Sequence, residues 1–105
     1  MNTIKHYLTS DGKDLYAEFF KKIKDSIAKA KIASRVNRMA SGNFGDHKPC
    51  RDGVWELRIN QGAGYRVYYS LVGNEIVLLL LGGGKRTQDA DISEAIKCLN
   101  DYLKR

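Results

Sequence analysis

Charged side chains and one aromatic side chain recur at every second position in two neighbouring segments of the sequence. Glu56 and Arg58 lie two residues apart, and Arg66 and Tyr68 repeat this spacing after a turn at Gln61–Gly64. Because side chains two residues apart in a β-strand point to the same side of a sheet, two paired strands would bring these four residues onto one face. Arginines on such a face suit the binding of a phosphodiester, and a tyrosine ring suits the stacking of an unpaired base.

Two further cations, Lys85 and Arg86, directly follow three consecutive glycines, Gly82–Gly84. Glycine lets the backbone approach a ligand closely, so we expect these cations to join the same surface. Four clustered cations repel one another, and a bound phosphate would relieve that repulsion through charge-assisted hydrogen bonds. The same residue types are also typical of a sheet face that is simply solvated, and alternation alone does not separate the two interpretations.

Four more basic side chains are candidate contacts to RNA. They lie in a basic helical stretch and in the long connection that follows it: Arg35, Arg38, Lys48 and Arg51. For the two on the helix, spacing favours a solvated face over a binding stripe. The overall charge favours a polyanionic partner, because eighteen Lys and Arg against twelve Asp and Glu give a formal charge of +6 in 105 residues.

Other chemistries find little support in the sequence. His6 and His47 have no cysteine or carboxylate partners at metal-ligand spacing, which argues against a metal site. The glycine-rich stretch that ends at Thr87 lacks the gap between glycines of a Walker loop, which argues against nucleotide hydrolysis. Cys50 and Cys98 are expected to be reduced, structural thiols. We therefore expect neither a metal nor another cofactor.

The elements that would position these residues follow from changes in hydrophobic period. Segments with a period of two predict strands, and segments with a period near 3.6 predict amphipathic helices. In chain order the predicted elements are a strand at 4–8, a helix from Asp14, a helix from about Ser26 to Ala40, strands at 54–60, 65–71 and 75–81, and a helix beyond Thr87. This order, β-α-α-β-β-β-α, predicts an α+β fold with an antiparallel meander. The length fits a single domain over residues 1–105.

The apolar residues predict which sides of the sheet are covered. Leu57, Ile59, Val67 and Tyr69 alternate with the charged set and are expected to pack under the two helices. The strand at 75–81 is apolar on both sides, which is typical of an inner strand covered on both faces. No apolar run approaches the roughly 20 residues of a membrane span, so we expect a cytoplasmic protein.

Several short strings occur in the order and spacing of a known family. They are Asn43-Phe44-Gly45-Asp46, Gly53-Val54, Glu56-Leu57-Arg58-Ile59, Gly64-Tyr65-Arg66-Val67-Tyr68-Tyr69 and Gly83-Gly84-Lys85 through Gln88 to Asp91-Ile92. With these strings the sequence resembles the phage-derived Gp49-like, HigB-type branch of the RelE/ParE toxin superfamily, over nearly the whole chain. The resemblance implies a compact RelE-like fold, in which a twisted, mainly antiparallel sheet carries an N-terminal helical hairpin and a C-terminal helix.

The resemblance also implies a function. Its members are addiction-module killer proteins, the toxins of type II toxin–antitoxin pairs, and a helix-turn-helix antitoxin of the HigA-like kind neutralises them. In this branch they are usually mRNA interferases, metal-independent endoribonucleases that cut message on the translating ribosome. The implied partners are therefore the antitoxin, the ribosome and mRNA, with operator DNA bound only through the antitoxin complex. A ParE-like poison of DNA gyrase and a non-enzymatic basic module that binds antitoxin or operator are the alternatives.

Roles for single residues follow from the same resemblance. Arg66 matches the arginine of the family's Gly-Tyr-Arg motif and is assigned to the phosphate, with Arg58 beside it. Arg86 matches a Gly-Lys-Arg position and would stabilise the leaving group or the pentacoordinate phosphate. Lys85 would contribute charge or carry a proton. Glu56 would act as a base or hold an arginine in place.

One position departs from the family pattern. Ile92 stands where RelE-like members have a tyrosine on the last helix, before the segment Ser93–Ala95. Proton transfer would then need another group, such as Tyr68 or Tyr102. With few titratable groups, the chain is expected to depend on the ribosome to shape its substrate and to cleave free RNA poorly.

Overall fold

The computed structural model describes all residues from Met1 to Arg105. The elements are β1 (Thr3–His6), α1 (Leu15–Lys22), α2 (Ser26–Met39), β2 (His47–Pro49), β3 (Trp55–Ile59), β4 (Tyr65–Val72), β5 (Ile76–Gly83) and α3 (Gln88–Lys104). The predicted α+β class and order are confirmed, apart from the additional strand β2. This strand has three residues and ends at a proline, so it is too short to show a hydrophobic period.

The strands form one sheet in the order β1-β5-β4-β3-β2. β1 runs parallel to β5, with Ile4 opposite Val77, and all other neighbours are antiparallel. The predicted meander corresponds to β3, β4 and β5, and β5 is an inner strand as expected. Since β1 and β2 are the two edges, the candidate residues on β3 and β4 lie toward the β2 edge.

Aspartate side chains fix where the first two helices begin. Asp14 accepts a hydrogen bond from the Ala17 amide at 2.9 Å, and Asp25 accepts one from the Ile27 amide at 3.0 Å. After α2 the chain turns at Gly42, whose φ of +87° lies in the left-handed region that favours glycine. These ends define the helical hairpin that the sequence predicts.

The helical hairpin covers one face of the sheet. The apolar stripe of α2 is buried as predicted, and it packs on the alternating apolar residues of β3 and β4. The cluster includes Ala28, Ile32, Val36 and Met39 from the helix and Leu57, Ile59, Val67 and Tyr69 from the strands. Burial of this alternating set places the charged set of β3 and β4 on the opposite face.

The opposite face is covered in part by α3. The buried residues of α3 pack in a second cluster with Tyr68, Leu78 and Leu80 of the sheet: Ile92, Ala95, Cys98 and Leu99. Both sides of β5 are therefore covered, as predicted. The charged set lies where α3 begins, so it borders a helix instead of forming an open sheet face.

Two simpler observations complete the description of the fold. None of the three helices combines the length and the apolar character that crossing a bilayer requires. Cys50 and Cys98 are free thiols, and Cys98 is buried on the face of α3 that packs on the sheet, as expected, whereas Cys50 is half-buried. The fold therefore holds one thiol beside the charged set, which bears on the site described next.

Candidate nucleic-acid interface

A buried ion pair between neighbouring strands lies at the centre of the charged set. The Nε of Arg66 donates to Oε2 of Glu56 at 2.8 Å, and the two side chains are 15% and 1% exposed. A carboxylate that has lost its water needs such a partner, because an unpaired buried charge is costly. The terminal nitrogens of Arg66 make no hydrogen bond within the protein, so they remain available to a ligand.

The second oxygen of Glu56 is also held. Gln88 at the start of α3 donates to Oε1 at 3.2 Å, and the thiol of Cys50 donates to the same oxygen at 3.6 Å. Burial and the neighbouring Glu56 charge raise the pKa of Cys50 to about 11, which keeps the thiol protonated. With both oxygens engaged, Glu56 is arranged to position Arg66, one of the two roles expected for it.

Arg58 is the cross-strand neighbour of Arg66 and has its own carboxylate. The two arginines are opposite each other in the register of β3 and β4. Arg58 donates to Asp46 at 3.1 Å, and its side chain is 36% exposed. The Asp46 carboxylate lowers the repulsion between two adjacent guanidinium groups, and Arg58 still reaches solvent.

Arg35 differs from the expectation of an RNA contact. Its guanidinium donates to the carbonyl oxygens of Arg58 at 2.8 Å, Phe44 at 3.2 Å and Asp46 at 3.1 Å. These bonds tie α2 to the connection before β2 and to the end of β3. Arg35 therefore uses its donors within the fold, in contacts between segments that helical spacing does not reveal.

Tyr68 shares the face of Glu56, as the register predicts, but its ring is fully buried under α3. The expectation that it offers an open platform for a base is wrong. Burial raises its pKa above the ordinary value, and its hydroxyl has no hydrogen-bond partner. Alternation places Tyr68 on the correct side of the sheet, but it does not show that α3 packs on that side.

The remaining candidate RNA contacts fall into two locations. Lys48 is exposed on β2 opposite Glu56, and Arg51 donates to Ser93 of α3 at 3.0 Å, so both border the ion pair. Arg38 is exposed on α2, which packs on the other face of the sheet, and donates to Ser34 at 3.3 Å. The fold therefore groups Lys48 and Arg51 with Arg58 and leaves Arg38 apart.

Lys85 and Arg86 emerge at the same end of the sheet as Arg66. Arg66 is opposite Gly83 in the register of β4 and β5, and the two cations follow Gly83 by two and three residues. Both side chains are exposed, and neither makes a hydrogen bond or an ion pair. Every other arginine donates at least one side-chain hydrogen bond: Arg35, Arg38, Arg51, Arg58, Arg66 and Arg105.

Groups that could move protons are sparse around these cations. Ile92 is buried in the α3 cluster. Tyr102 accepts a hydrogen bond from Lys5 at 3.1 Å and lines a separate cleft beside β1, at the opposite edge of the sheet. No group of three His, Cys, Asp or Glu side chains is arranged to hold a metal ion. The exposed Lys85 and Arg86 beside the held guanidinium of Arg66 are suited to binding and orienting an anion.

Two contributors to this arrangement were not singled out as site residues from the sequence. Gln88 and Asp46 each hold another member of the charged set, through Glu56 and Arg58 respectively. Both lie within the short strings that carry the family resemblance, and this was the available signal. The hydrophobic period gave no signal for Gln88 or Asp46, because both residues lie outside the three central strands.

Comparison with known proteins gives two matches. The family described as "Phage derived protein Gp49-like (DUF891)", a toxin–antitoxin-associated family, matches residues 6–102. A protein of Haemophilus influenzae (strain ATCC 51907 / DSM 11121 / KW20 / Rd), described as an uncharacterized protein, is 48% identical over 92 residues, which cover 88% of this chain and 87% of that protein. The family match spans every element from β2 to β5, both helices of the hairpin and most of α3. The chain therefore belongs to the Gp49-like family of phage-derived proteins.

Proposed function

We propose that this protein is the toxin of a type II toxin–antitoxin pair and that it cleaves mRNA on the translating ribosome. Membership of a toxin–antitoxin-associated family supports the first part. The resemblance to HigB-type toxins and the geometry of the charged set support the second. The alternatives are a gyrase poison and a binding module without catalysis, and the scarcity of proton-transfer groups near the cations is the feature that favours the latter.

The observation that carries the proposal is the contrast between held and free guanidinium groups. Glu56 fixes Arg66 from a buried position, Asp46 fixes Arg58, and Arg86 is unpaired. Two guanidinium groups that are held in place can orient a phosphodiester. A third guanidinium group, which has no internal partner, can move toward the negative charge that develops on the phosphate oxygens in the transition state. Arg86 is the one arginine of the chain that no internal contact accounts for.

Metal-free RNA cleavage fits such a site. The 2′-oxygen of one nucleotide attacks its own 3′-phosphate and loses its proton, while the bond from phosphorus to the 5′-oxygen breaks and that oxygen gains a proton. The products are a 2′,3′-cyclic phosphate and a 5′-hydroxyl. Arg66 and Arg58 bind the non-bridging oxygens, and Arg86 neutralises the pentacoordinate phosphate or the leaving oxygen.

Proton transfer is the step to which the chain contributes least. Both oxygens of Glu56 are engaged, Tyr68 is buried, and Tyr102 lies at the other edge of the sheet. Lys85 is the exposed titratable group beside Arg86 and is assigned to carry a proton or add charge. We therefore expect weak cleavage of free RNA and strong cleavage where the ribosome shapes the substrate.

The proposed protein partner is a helix-turn-helix antitoxin of the HigA-like kind, and operator DNA is bound only through the antitoxin complex. An antitoxin with an acidic segment would neutralise the exposed cations Lys48, Lys85 and Arg86. Covering these cations would also exclude RNA from the same surface.

The test compares induced expression of the wild-type chain with Arg86→Ala and Arg66→Lys, followed by sequencing of the 5′ ends of message fragments. Arg86→Ala removes no internal bond, so loss of growth arrest with this variant reflects chemistry and not unfolding. Arg66→Lys keeps a charge beside Glu56 but loses the fork that grips phosphate. We expect at least tenfold fewer fragments with either variant.

Arg105→Ala is the matched control, since Arg105 lies at the C-terminal end of α3 and pairs with Asp101. It should arrest growth like the wild type. Growth arrest with intact messages and accumulated gyrase–DNA cleavage complexes would instead identify a gyrase poison. Harmless wild-type expression with tight antitoxin binding would identify a binding module.

A further inference from the structure

The first strand leaves one edge of the sheet open. β1 pairs with β5 on one side and has no strand on the other. The amides of Thr3 and Tyr7 donate to carbonyl oxygens of β5. Because the backbone groups of a strand point alternately to its two sides, those of Ile4 and His6 point away from β5. No hydrogen bond of a turn, loop or cap includes them, so these N–H and C=O groups, the β1 edge, are available to another strand.

An apolar cleft of about 420 Å³ borders the β1 edge on the side of the helical hairpin. The side chains of Ile4 and His6 form one wall, and the other walls come from α1 and α2, with Phe20, Ala33 and Val36 among them. His6 is the one lining residue that can carry a charge, and its Nδ1 is already hydrogen-bonded to the Asp14 carboxylate at 2.6 Å. This apolar cleft therefore favours an aliphatic group.

A basic cleft of about 410 Å³ flanks the same strand on the side of α3. Its lining residues are Lys5, His6, Leu8, Tyr102 and Arg105. Lys5 donates to the Tyr102 hydroxyl at 3.1 Å and has no carboxylate partner, whereas Arg105 pairs with Asp101. Because the Lys5 charge is not compensated, the basic cleft favours a carboxylate.

The two clefts lie on opposite sides of one strand, as alternation along β1 requires. Ile4 borders the apolar cleft, and the next residue, Lys5, lines the basic cleft. A strand that is added beside β1 presents its own side chains alternately to the same two sides. The β1 edge therefore suits an extended segment in which apolar and acidic residues alternate.

A second copy of this chain fits the β1 edge less well. Two β1 strands could pair antiparallel about a two-fold axis. The register that uses the free groups of both Ile4 and His6 would then place Lys5 directly opposite Lys5 of the second copy. Like charges in this position destabilise a sheet, and β1 itself has no acidic side chain to offer. Charge therefore favours an acidic partner over a second copy.

We propose that the β1 edge binds an extended segment of a protein partner in which apolar and acidic residues alternate. The segment adds a strand to the sheet through hydrogen bonds to the backbone of Ile4 and His6. Its apolar side chains enter the apolar cleft, and a carboxylate pairs with Lys5 in the basic cleft. The inference does not depend on the proposed function, because the charged set lies toward β2, the other edge of the sheet.

The experiment is a titration of the ¹⁵N-labelled wild-type chain with a short blocked peptide of alternating valine and glutamate. We expect the amide signals of Ile4 and His6 to shift most, and their hydrogen exchange to slow because both amides gain an acceptor. A peptide with lysine in place of glutamate is the control, and it should bind about tenfold more weakly or less.

N-methylated peptides test whether the backbone of the segment pairs with β1. One peptide carries methyl groups on the valine amides and another carries them on the glutamate amides. In an added strand only one of these two sets of amides faces β1, so one peptide should lose binding and the other should keep it. Equal binding of both methylated peptides would contradict strand addition.

Two variants test the two clefts separately. Lys5→Glu should weaken the Kd for the valine–glutamate peptide about tenfold, because like charges then meet in the basic cleft. Lys24→Glu is the matched control, since Lys24 is exposed and precedes Asp25, which contacts Gly62 in the turn between β3 and β4. Ala17→Arg fills the apolar cleft from an exposed position and should also weaken binding, while the thermal unfolding midpoint stays constant.

Unmoved signals of Ile4 and His6, or an unchanged Kd in either folded cleft variant, would overturn the inference. Shifts of the same signals with rising protein concentration and no peptide would identify a second copy as the occupant, and would overturn it too. None of these results bears on message cleavage in cells, which the 5′-end sequencing measures.

Discussion

At the scale of single residues, the basic side chains of this protein divide into those that the fold holds and those that it leaves free. Arg66 compensates the buried carboxylate of Glu56, and Arg35 serves three carbonyl oxygens. Lys85 and Arg86 serve no internal partner. We expect substitutions of the first kind to change stability and the proposed activity together, and substitutions of the second kind to change the proposed activity alone. This difference decides which variants are informative.

Gln88→Ala tests whether Glu56 acts as a positioning residue. Loss of the Gln88 bond leaves one carboxylate oxygen with the Cys50 thiol as its remaining donor. We expect a loss of about 1–2 kcal/mol in the free energy of unfolding, measured in urea, because the bond is to a charged group. RNA cleavage should fall as Arg66 becomes less well fixed. Full cleavage activity in the folded variant would show that Arg66 needs no such support.

The two thiols give the protein a defined sensitivity to alkaline pH. Burial raises the pKa of both Cys50 and Cys98 from the ordinary value of 9.0 to about 11. The unfolded chain therefore ionises first, and this contribution to stability is complete below pH 9 and is lost as the pH rises toward 11. We expect the unfolding midpoint to fall across this interval. It should fall less in Cys50→Ser with Cys98→Ala, and an equal fall in both proteins would contradict the assignment.

At the scale of elements, both helical layers approach the sheet closely at the end of β5. A Cβ on Gly82 would overlap the Phe19 ring of α1, and a Cβ on Gly83 would overlap the Asp91 carboxylate of α3. Asp91 also accepts a hydrogen bond from Thr87 at 2.6 Å in the first turn of α3. The glycines therefore let one strand end between two helices, and they fix where Lys85 and Arg86 emerge.

Replacing single glycines by alanine shows whether a glycine is needed because a neighbouring side chain packs against it or because of its backbone conformation. Gly82, Gly83 and Gly84 all have ordinary φ angles, so alanine is allowed by the backbone at each. Gly82→Ala should cost about 1–3 kcal/mol of unfolding free energy because it forces Phe19 away. Gly84→Ala, which has open space, is the matched control and should cost less than 0.5 kcal/mol, roughly the effect of an ordinary surface change. Urea denaturation of both variants measures the difference.

The elements also show how far the sequence predicts this structure. The stripe of α2 and the alternation of β3 and β4 are confirmed because each reflects local periodicity. Tyr68 was expected on an open face, since nothing in its own strand reveals that α3, some twenty residues later, covers it. The contacts of Arg35 to Phe44 and Asp46 were missed for the same reason, as they join segments with no shared period. The exposed Lys85 and Arg86 were placed by the three glycines that precede them, and the family motif added only their expected roles.

At the scale of the whole molecule, charge is distributed unevenly around the sheet. The exposed cations Lys48, Arg51, Lys85 and Arg86 surround the start of α3, next to the Glu56–Arg66 pair. The same region also carries the exposed carboxylates Asp89 and Glu94 of α3, whereas Asp46 and Asp91 accept internal hydrogen bonds. A polyanion that binds at this end of the molecule must therefore contact the four cations directly.

Salt dependence measures how many of these cations meet phosphate. For single-stranded nucleic acid, the logarithm of the binding constant falls with the logarithm of salt concentration by about 0.7 for each phosphate contact. We expect Arg86→Ala to reduce the slope by about 0.7 for a non-cleavable oligoribonucleotide, measured by fluorescence anisotropy between about 50 and 200 mM salt. Arg105→Ala should leave the slope unchanged. Equal slopes for the wild type and Arg86→Ala would place Arg86 outside the contact.

The parallel pairing of β1 with β5 has a consequence for synthesis of the protein. The Thr3 amide donates to the Glu75 carbonyl oxygen, and the Tyr7 amide donates to the Leu79 carbonyl oxygen. During synthesis, β1 can therefore pair only after residues some seventy positions later have been translated. Closing so long a segment is slow, and nascent chains cannot finish their sheet early. Arg86 and Gln88 are translated later still. A chain whose translation stops before its last quarter therefore lacks a complete β5, and with it the pairing of β1 and the side chains of Lys85, Arg86 and Gln88.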